Sequence, residues 1–231
     1  MRVADLIRRG AVMGLDGAAM RVALGRMTRE GVVAQPERGR YAIGPAGAAL
    51  DRRARGWAAA GQRMRPWAGR WLLVLADHLG RSDKRQVRRR ERALTLYGFR
   101  PAPGAWVRPD NLADGDLPAQ MHAIGLDSRA TVVRDALVGA DGWRTLWPIA
   151  DLEAAYRFWV GEMVASQERL PMLAPDAAAR ESLLLGQAVI RAINRDPLLP
   201  AELIDTGARD AMIAAMRRYD AVGKACWAAI G

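Results

Sequence analysis

Three arginines, Arg21, Arg26 and Arg29, punctuate a stretch of helical pattern, LDGAAMRVALGRM (15–27) and its continuation. Two more, Arg38 and Arg40, sit in the β-rich run that follows. A guanidinium can bond guanine O6 and N7 as a fork, or it can meet a phosphate. At about 100° per residue, Met20, Ala23, Leu24 and Met27 share one apolar stripe. The opposite face carries Ala18, Val22, Gly25 and Arg29, flanked by Arg21 and Arg26. Such a face suits a major groove. Arg21, in the N-terminal half, is placed to read a base, slim Val22 to touch a thymine methyl, and Arg26 and Arg29 to meet phosphates. Arg38 and Arg40 would contact a minor groove or phosphate. The competing reading is a surface helix packing one face, with solvated arginines.

Other chemistry is sparsely supplied. His78, His122 and the single Cys226 have no zinc spacing. No Gly-x-Ser-x-Gly, phosphate-binding glycine loop or dinucleotide fingerprint occurs, so no enzyme and no cofactor are expected. Asp77 closes the apolar run WLLVLA (71–76), but two-metal hydrolysis needs several converging carboxylates and no second one is conspicuous. A metal-dependent nuclease stands as the rival reading. Aromatics gather at Trp143, Trp147, Tyr156, Phe158 and Trp159, with Arg144 and Arg157 among them and Arg191 further on. They could wall a ligand pocket, although Leu152, Tyr156 and Trp159 share a helix face and so equally read as core.

Charge is uneven along the chain. The 231 residues carry a net +10. Residues 1–65 hold 13 arginines against 5 acids, a net of +8, whereas residues 151–231 hold 9 bases against 11 acids. A basic N-terminal part on a near-neutral body is the footprint of a phosphate-bearing partner. No apolar run reaches the roughly 20 residues of a bilayer span, and a lone cysteine fits a reducing compartment, so the expected location is the cytoplasm.

The elements that would position these residues are legible by period. VADLIRRGAVM (3–13) has helical spacing, Gly14 breaks it, Leu15 is expected to pack inward, and Asp16 is suited to cap the next helix. Gly31 ends that helix, and VVAQPERGRYAIG (32–44) reads as a hairpin about a Pro-Glu-Arg-Gly turn. Helix, turn, helix and hairpin make a winged helix-turn-helix over residues 1–47. Residues 48–65 read as a linker helix. Residues 66–145 follow a β-α-β-α-β order, with strands at 71–77, 105–109 and 131–138 and helices at 83–98 and 117–125, which suits a ferredoxin-like α+β domain. Helical stretches at 149–170, 176–195 and 207–230 make residues 146–231 an all-α domain. The fold class is therefore multidomain α+β. The run KRQVRRRER (84–92) reads first as the solvated face of its helix, with contact to flanking DNA as the alternative.

Three stretches resemble the PaaX family, repressors of phenylacetate catabolism. AMRVALGRMTREGVV (19–33) is similar to that family's recognition helix and the start of its wing. RWLLVLAD (70–77) with RRRERALTLYGFRPAPGAWVRPDNL (88–112) is similar to its central domain, and AINRDPLLPAELI (192–204) to its C-terminal signature. The resemblance implies a one-component regulator that binds palindromic operator DNA as a homodimer and is released by an acyl-coenzyme A effector such as phenylacetyl-coenzyme A. The Trp143, Trp147, Tyr156, Arg157 and Trp159 group is the candidate site for it. Two departures stand out. The family carries a further helix ahead of its counterpart of residues 3–13, so the winged helix is expected to be short of its first helix. This supports another alternative, a regulator that binds effector or partner protein but not DNA. Second, LIDTGARDAM (203–212) keeps only Gly207-Ala208-Arg209 of the family's longer loop.

Overall fold

The computed structural model describes residues 1–113, 121–122, 126–137 and 141–230, except the side chains of residues 49, 50, 53 and 141. The chain is a multidomain α+β protein whose residues cluster into two compact units. The first comprises Met1–Ala58, Trp159–Ile190 and Ala214–Gly231, the second Ala59–Phe158 and Arg191–Ile213.

In the first unit, α1 (Val3–Val12) and α2 (Gly17–Arg29) are joined by a turn that glycine makes possible. Gly14 has φ +75°, its N–H bonds to the Ala11 carbonyl (2.9 Å), and the Leu15 N–H bonds to the Gly10 carbonyl (2.9 Å). This closes the carbonyls left open at the helix end. The tight turn leaves Leu15 55% exposed rather than packed inward. Asp16 caps α2 as expected, its carboxylate accepting the Ala19 N–H at 2.8 Å. Gly31, at φ +69°, ends α2 with the same two-bond pattern, from Gly31 to Thr28 and from Val32 to Met27. The hairpin pairs β1 (Val33–Glu37) with β2 (Arg40–Ile43), antiparallel, about a two-residue Arg38-Gly39 turn; Pro36 and Glu37 belong to β1 rather than to the turn. Arg2 bridges to Arg40, so the chain's first residues lie antiparallel along β2 as a third segment beside the hairpin. α3 (Pro45–Arg55) runs into a 3-10 segment at Gly56–Arg63, in place of one linker helix.

The second unit is built on a four-stranded antiparallel sheet in the order β4-β5-β3-β6. Its central strand, β3 (Trp71–Leu75), pairs with β5 (Ala105–Pro109) and β6 (Thr131–Ala136). Leu72, Val74 and Val107 are fully buried, as are Ala93 and Leu94 of α4 (Lys84–Leu96). The strand β4 (Arg100–Ala102) adds to the expected order. Pro101 and Pro103 disguise it as loop, because proline cannot complete a ladder; a three-residue strand at a sheet edge tolerates one. β6 stops at Ala136, and residues 117–120, 123–125 and 138, expected in a helix and a strand end, lie outside the described residues. Within α4, Arg90 is buried and reaches the Gly80 carbonyl (3.4 Å), while Arg85, Arg88, Arg89 and Arg92 are exposed. The long helices α5 (Ile149–Arg169), α6 (Pro175–Arg195) and α7 (Thr206–Ala229) follow the expected apolar periods, and each supplies residues to both units.

Candidate nucleic-acid interface

The apolar stripe of α2 faces the protein: Leu24 is buried, and Met20, Ala23 and Met27 are half-buried. Gly10 of α1 supplies the space, since a Cβ there would fall 1.9 Å from the Met20 sulfur. Gly17 likewise lets Ile7 approach, so its small size serves packing inside the domain. The opposite face is open. Ala18, Arg21, Val22, Gly25, Arg26 and Arg29 are exposed, Val22 by 74%, and a Cβ on Gly25 would meet nothing within 4 Å. Val22 alone is an ordinary exposed apolar residue; what distinguishes this face is the arginines that flank it.

The arginines are held only lightly. Arg21 Nη1 stands 3.5 Å from its own helix's Gly17 carbonyl, Arg26 is 3.9 Å from Glu30, and Arg40 is 3.3 Å from Glu37 across the hairpin turn. Exposed pairs of this kind contribute little and exchange readily for a phosphate. Arg29 and Arg38 are exposed and form no ion pair among the described residues. The C-terminal turn of α2 therefore carries two guanidiniums and the hairpin two more, all in the first unit.

The aromatic group behaves differently. Trp147 is 2% exposed, stacks on Trp71 at 6.2 Å, and donates its indole N–H to the Gly98 carbonyl at 3.0 Å. Trp143 meets Trp71 edge-on at 5.4 Å, and Trp67 does so at 5.5 Å. Tyr156 is buried, and its hydroxyl pKa is pushed up by burial and by the Asp196 carboxylate nearby. Arg157 is exposed and pairs with Glu153 (3.7 Å). Trp159 belongs to the first unit, whereas the other four belong to the second. Trp71, Trp147 and Tyr156 are thus buried in the second unit, with Trp143 half-buried against Trp71; for Tyr156 this is the core alternative left open by its spacing with Leu152 and Trp159.

A buried polar cluster in the second unit was not visible by spacing. Arg108, 1% exposed, donates to the carbonyl of Pro197 (3.1 Å), to that of Tyr97, and to Asn111 Oδ1 (2.9 Å). Asn111 donates to the Leu198 carbonyl (2.7 Å), and Arg209 to the Leu199 carbonyl (2.8 Å). Three successive carbonyls of the Asp-Pro-Leu-Leu-Pro stretch are thereby held by three side chains, one of them from the retained Gly-Ala-Arg. Asp196 lies 4.0 Å from Arg209; its burial raises the carboxyl's pKa against the opposing pull of its hydrogen bonds and of Arg209. Asp110 is the converse. Burial alone would raise its pKa, but bonds from Arg134 (2.7 Å), the Asp135 N–H (2.9 Å) and Arg65 (2.9 Å) hold it below the ordinary range. A bulge in β6, with Asp135 at φ +57°, turns these groups toward Asp110. Asp77 is exposed in a short 3-10 turn just beyond β3, and no three His, Cys, Asp or Glu side chains converge among the described residues.

No protein-family model matches the chain. The transcriptional repressor PaaX of Escherichia coli (strain K12) is 26% identical over 207 residues, which cover 83% of this chain and 64% of that protein. The chain thus spans less than two thirds of the curated relative's length. Among solved structures, the uncharacterized protein Rv0674 of Mycobacterium tuberculosis has the same fold, with a TM-score of 0.63 at 24% identity over 96% of this chain and 90% of that one. In sequence the chain is similar to a PaaX repressor, and in fold to the Rv0674 protein.

Proposed function

We propose that the chain is a DNA-binding transcriptional repressor that reads a two-fold operator as a homodimer through residues 1–47. The observation that carries this reading is the exposed face of α2, where Val22 is bare between Arg21, Arg26 and Arg29 while the opposite stripe is packed. Helix α2 is the recognition helix and the β1–β2 hairpin is the wing of a winged helix-turn-helix. Arg21 and Val22 meet base edges, and Arg26, Arg29, Arg38 and Arg40 meet backbone. The relation to a named repressor supports the class of activity. The strand order β4-β5-β3-β6, with α4 between its first two strands in sequence, supports a ferredoxin-like middle domain over residues 66–145. A small organic effector relieves repression by binding one conformation in preference to the other.

Footprinting on the DNA upstream of the chain's own gene tests this. The expected result is a protected site with two-fold symmetry and half-sites one helical turn, about 34 Å, or a multiple of it apart. Uniform protection, or none with folded protein at low salt, contradicts it.

A further inference from the structure

The second unit carries a basic surface that the reading of residues 1–47 leaves unused. Lys84, Arg85, Arg88, Arg89 and Arg92 of α4 are all exposed, and so is Arg81 just ahead of it. At 100° per residue the five helical side chains fall within an arc of about 140°. Arg90, outside that arc, is buried and meets the Gly80 carbonyl, while Ala93 and Leu94 pack inward.

This face is not charged as a merely solvated helix would be. The first turn of α4 holds Lys84 and Arg85 and no acid, and its last turn holds no base, the reverse of what the helix dipole favours. Arg85 and Arg89 are like-charged neighbours one turn apart, as are Arg88 and Arg92, and such pairs repel. Nearby acids do not relieve this. Asp83 is engaged in capping, accepting the Arg85 and Gln86 N–H groups at 2.9 and 3.1 Å. Neither Glu91 nor any of the six exposed cations forms an ion pair among the described residues. Elsewhere in this chain exposed helical cations do pair one turn away, as Arg26 with Glu30, Arg157 with Glu153 and Lys224 with Asp220. An arrangement that weakens its own helix is explained by an anion from outside.

The neighbours on this face select the anion. From Arg81 to Arg92 the single apolar side chain is Val87, half-buried, and there is no aromatic. The bases of a single strand find nothing to stack on, and a lipid surface finds no apolar wedge. What is offered is a row of guanidiniums about 10 Å long from Arg85 to Arg92. That row suits the phosphates of a duplex, which presents one charge per about 1.7 Å of its axis.

We propose that the exposed face of α4 is a second DNA-binding surface, which holds the phosphate backbone of double-stranded DNA without regard to sequence through Arg85, Arg88, Arg89 and Arg92. It carries DNA contact beyond residues 1–47 and stands independently of the roles given to α2 and the hairpin.

The test is fluorescence anisotropy of the full chain on a random duplex of about 40 base pairs, between about 50 and 300 mM salt. Arg88→Gln with Arg92→Gln is expected to weaken binding about ten-fold and to flatten the log–log salt slope by about 2, on this duplex and on the footprinted site alike. Glutamine keeps the helix propensity and removes the repelling pair, so the thermal midpoint should hold or rise. A fall would assign the two arginines to folding and overturn the surface. Arg180→Gln with Arg218→Gln removes the same charge from exposed residues of α6 and α7, and is expected to change affinity less than two-fold. Equal losses for the two double variants, or none for the α4 pair, overturn the surface. A loss confined to the footprinted site overturns its indifference to sequence. Binding to phosphatidylserine vesicles that the α4 pair abolishes, with duplex affinity unchanged, overturns DNA as the occupant. The two DNA readings fail separately. Random duplex bound through α4 by a chain with no preferred site leaves this surface standing and removes the reading of α2. A preferred site that the α4 pair leaves untouched does the converse, and folded chain that binds no duplex at low salt overturns both.

Discussion

Two kinds of arginine share this chain, and their surroundings assign them different work. Arg21 and Arg29 are exposed on one helix, but in the proposed reading only Arg21 lies in the half that would meet base edges. Arg21→Ala should therefore weaken the specific site by about 1–3 kcal/mol and random DNA far less, whereas Arg29→Ala should weaken both alike. Competition binding with the two DNAs measures this, and equal losses for both variants would refute the assignment. Arg134 and Arg65, by contrast, hold Asp110. Asp110→Asn should cost about 3 kcal/mol at pH 7, because it leaves guanidiniums without their buried partner. The sign with pH follows from the lowered carboxyl. Its contribution is complete above the unfolded value of about 3.9 and is lost as pH falls through the lower folded one. Urea midpoints measured between about pH 5 and pH 2 should drop more steeply for the wild type than for Asp110→Asn. The exposed face of α2 was legible in the sequence because a helix brings residues three and four apart together. The Arg108, Asn111 and Arg209 cluster was not, since its members meet carbonyls as many as 89 positions away.

Helix ends show what local pattern can establish. α1, α2 and α4 each stop at a glycine of positive φ, Gly14, Gly31 and Gly98, and each closes with paired bonds back into its last turn. Gly14, Gly31 and the Asp16 cap were readable as such, whereas Gly98 was read as the last residue of its helix. Gly98 has a second duty that sequence could not reveal: a Cβ there would stand 2.6 Å from the Pro197 Cα. Gly98→Ala should cost about 3 kcal/mol through backbone strain and overpacking together, and lower the thermal midpoint by roughly 6–12 °C. Scanning calorimetry checks it, and a change below about 2 °C would mean that the Asp-Pro-Leu-Leu-Pro stretch gives way freely. β4 escaped notice because two prolines in five residues outweigh any strand signal. The stretches that carry the family resemblance in the second unit, Val107–Leu112 and Asp196–Pro200, prove to hold one another, which explains their residue types by packing rather than by recognition.

At the scale of the molecule, the α2 and hairpin residues that would touch DNA and a cavity walled by Arg9 and Trp227 belong to one compact unit, built from residues far apart in sequence. No periodicity could have announced this, because the cavity's walls come from the start of the chain at α1 and from its last third at α6 and α7. Among the described residues no helix is long and apolar enough to cross a membrane. The basic N-terminal part would give the proposed DNA binding a strong electrostatic component. The four arginines of residues 1–47 proposed to face the DNA backbone are expected to contribute about −3 to −4 to the log–log salt slope for each chain bound. The most direct measurement is fluorescence anisotropy of the intact chain on its footprinted upstream site and on a shuffled duplex of equal composition, at about 150 mM salt. The account predicts a preference of at least about 10³-fold for the site, reduced in Arg21→Ala. Equal affinity for the two duplexes would contradict it.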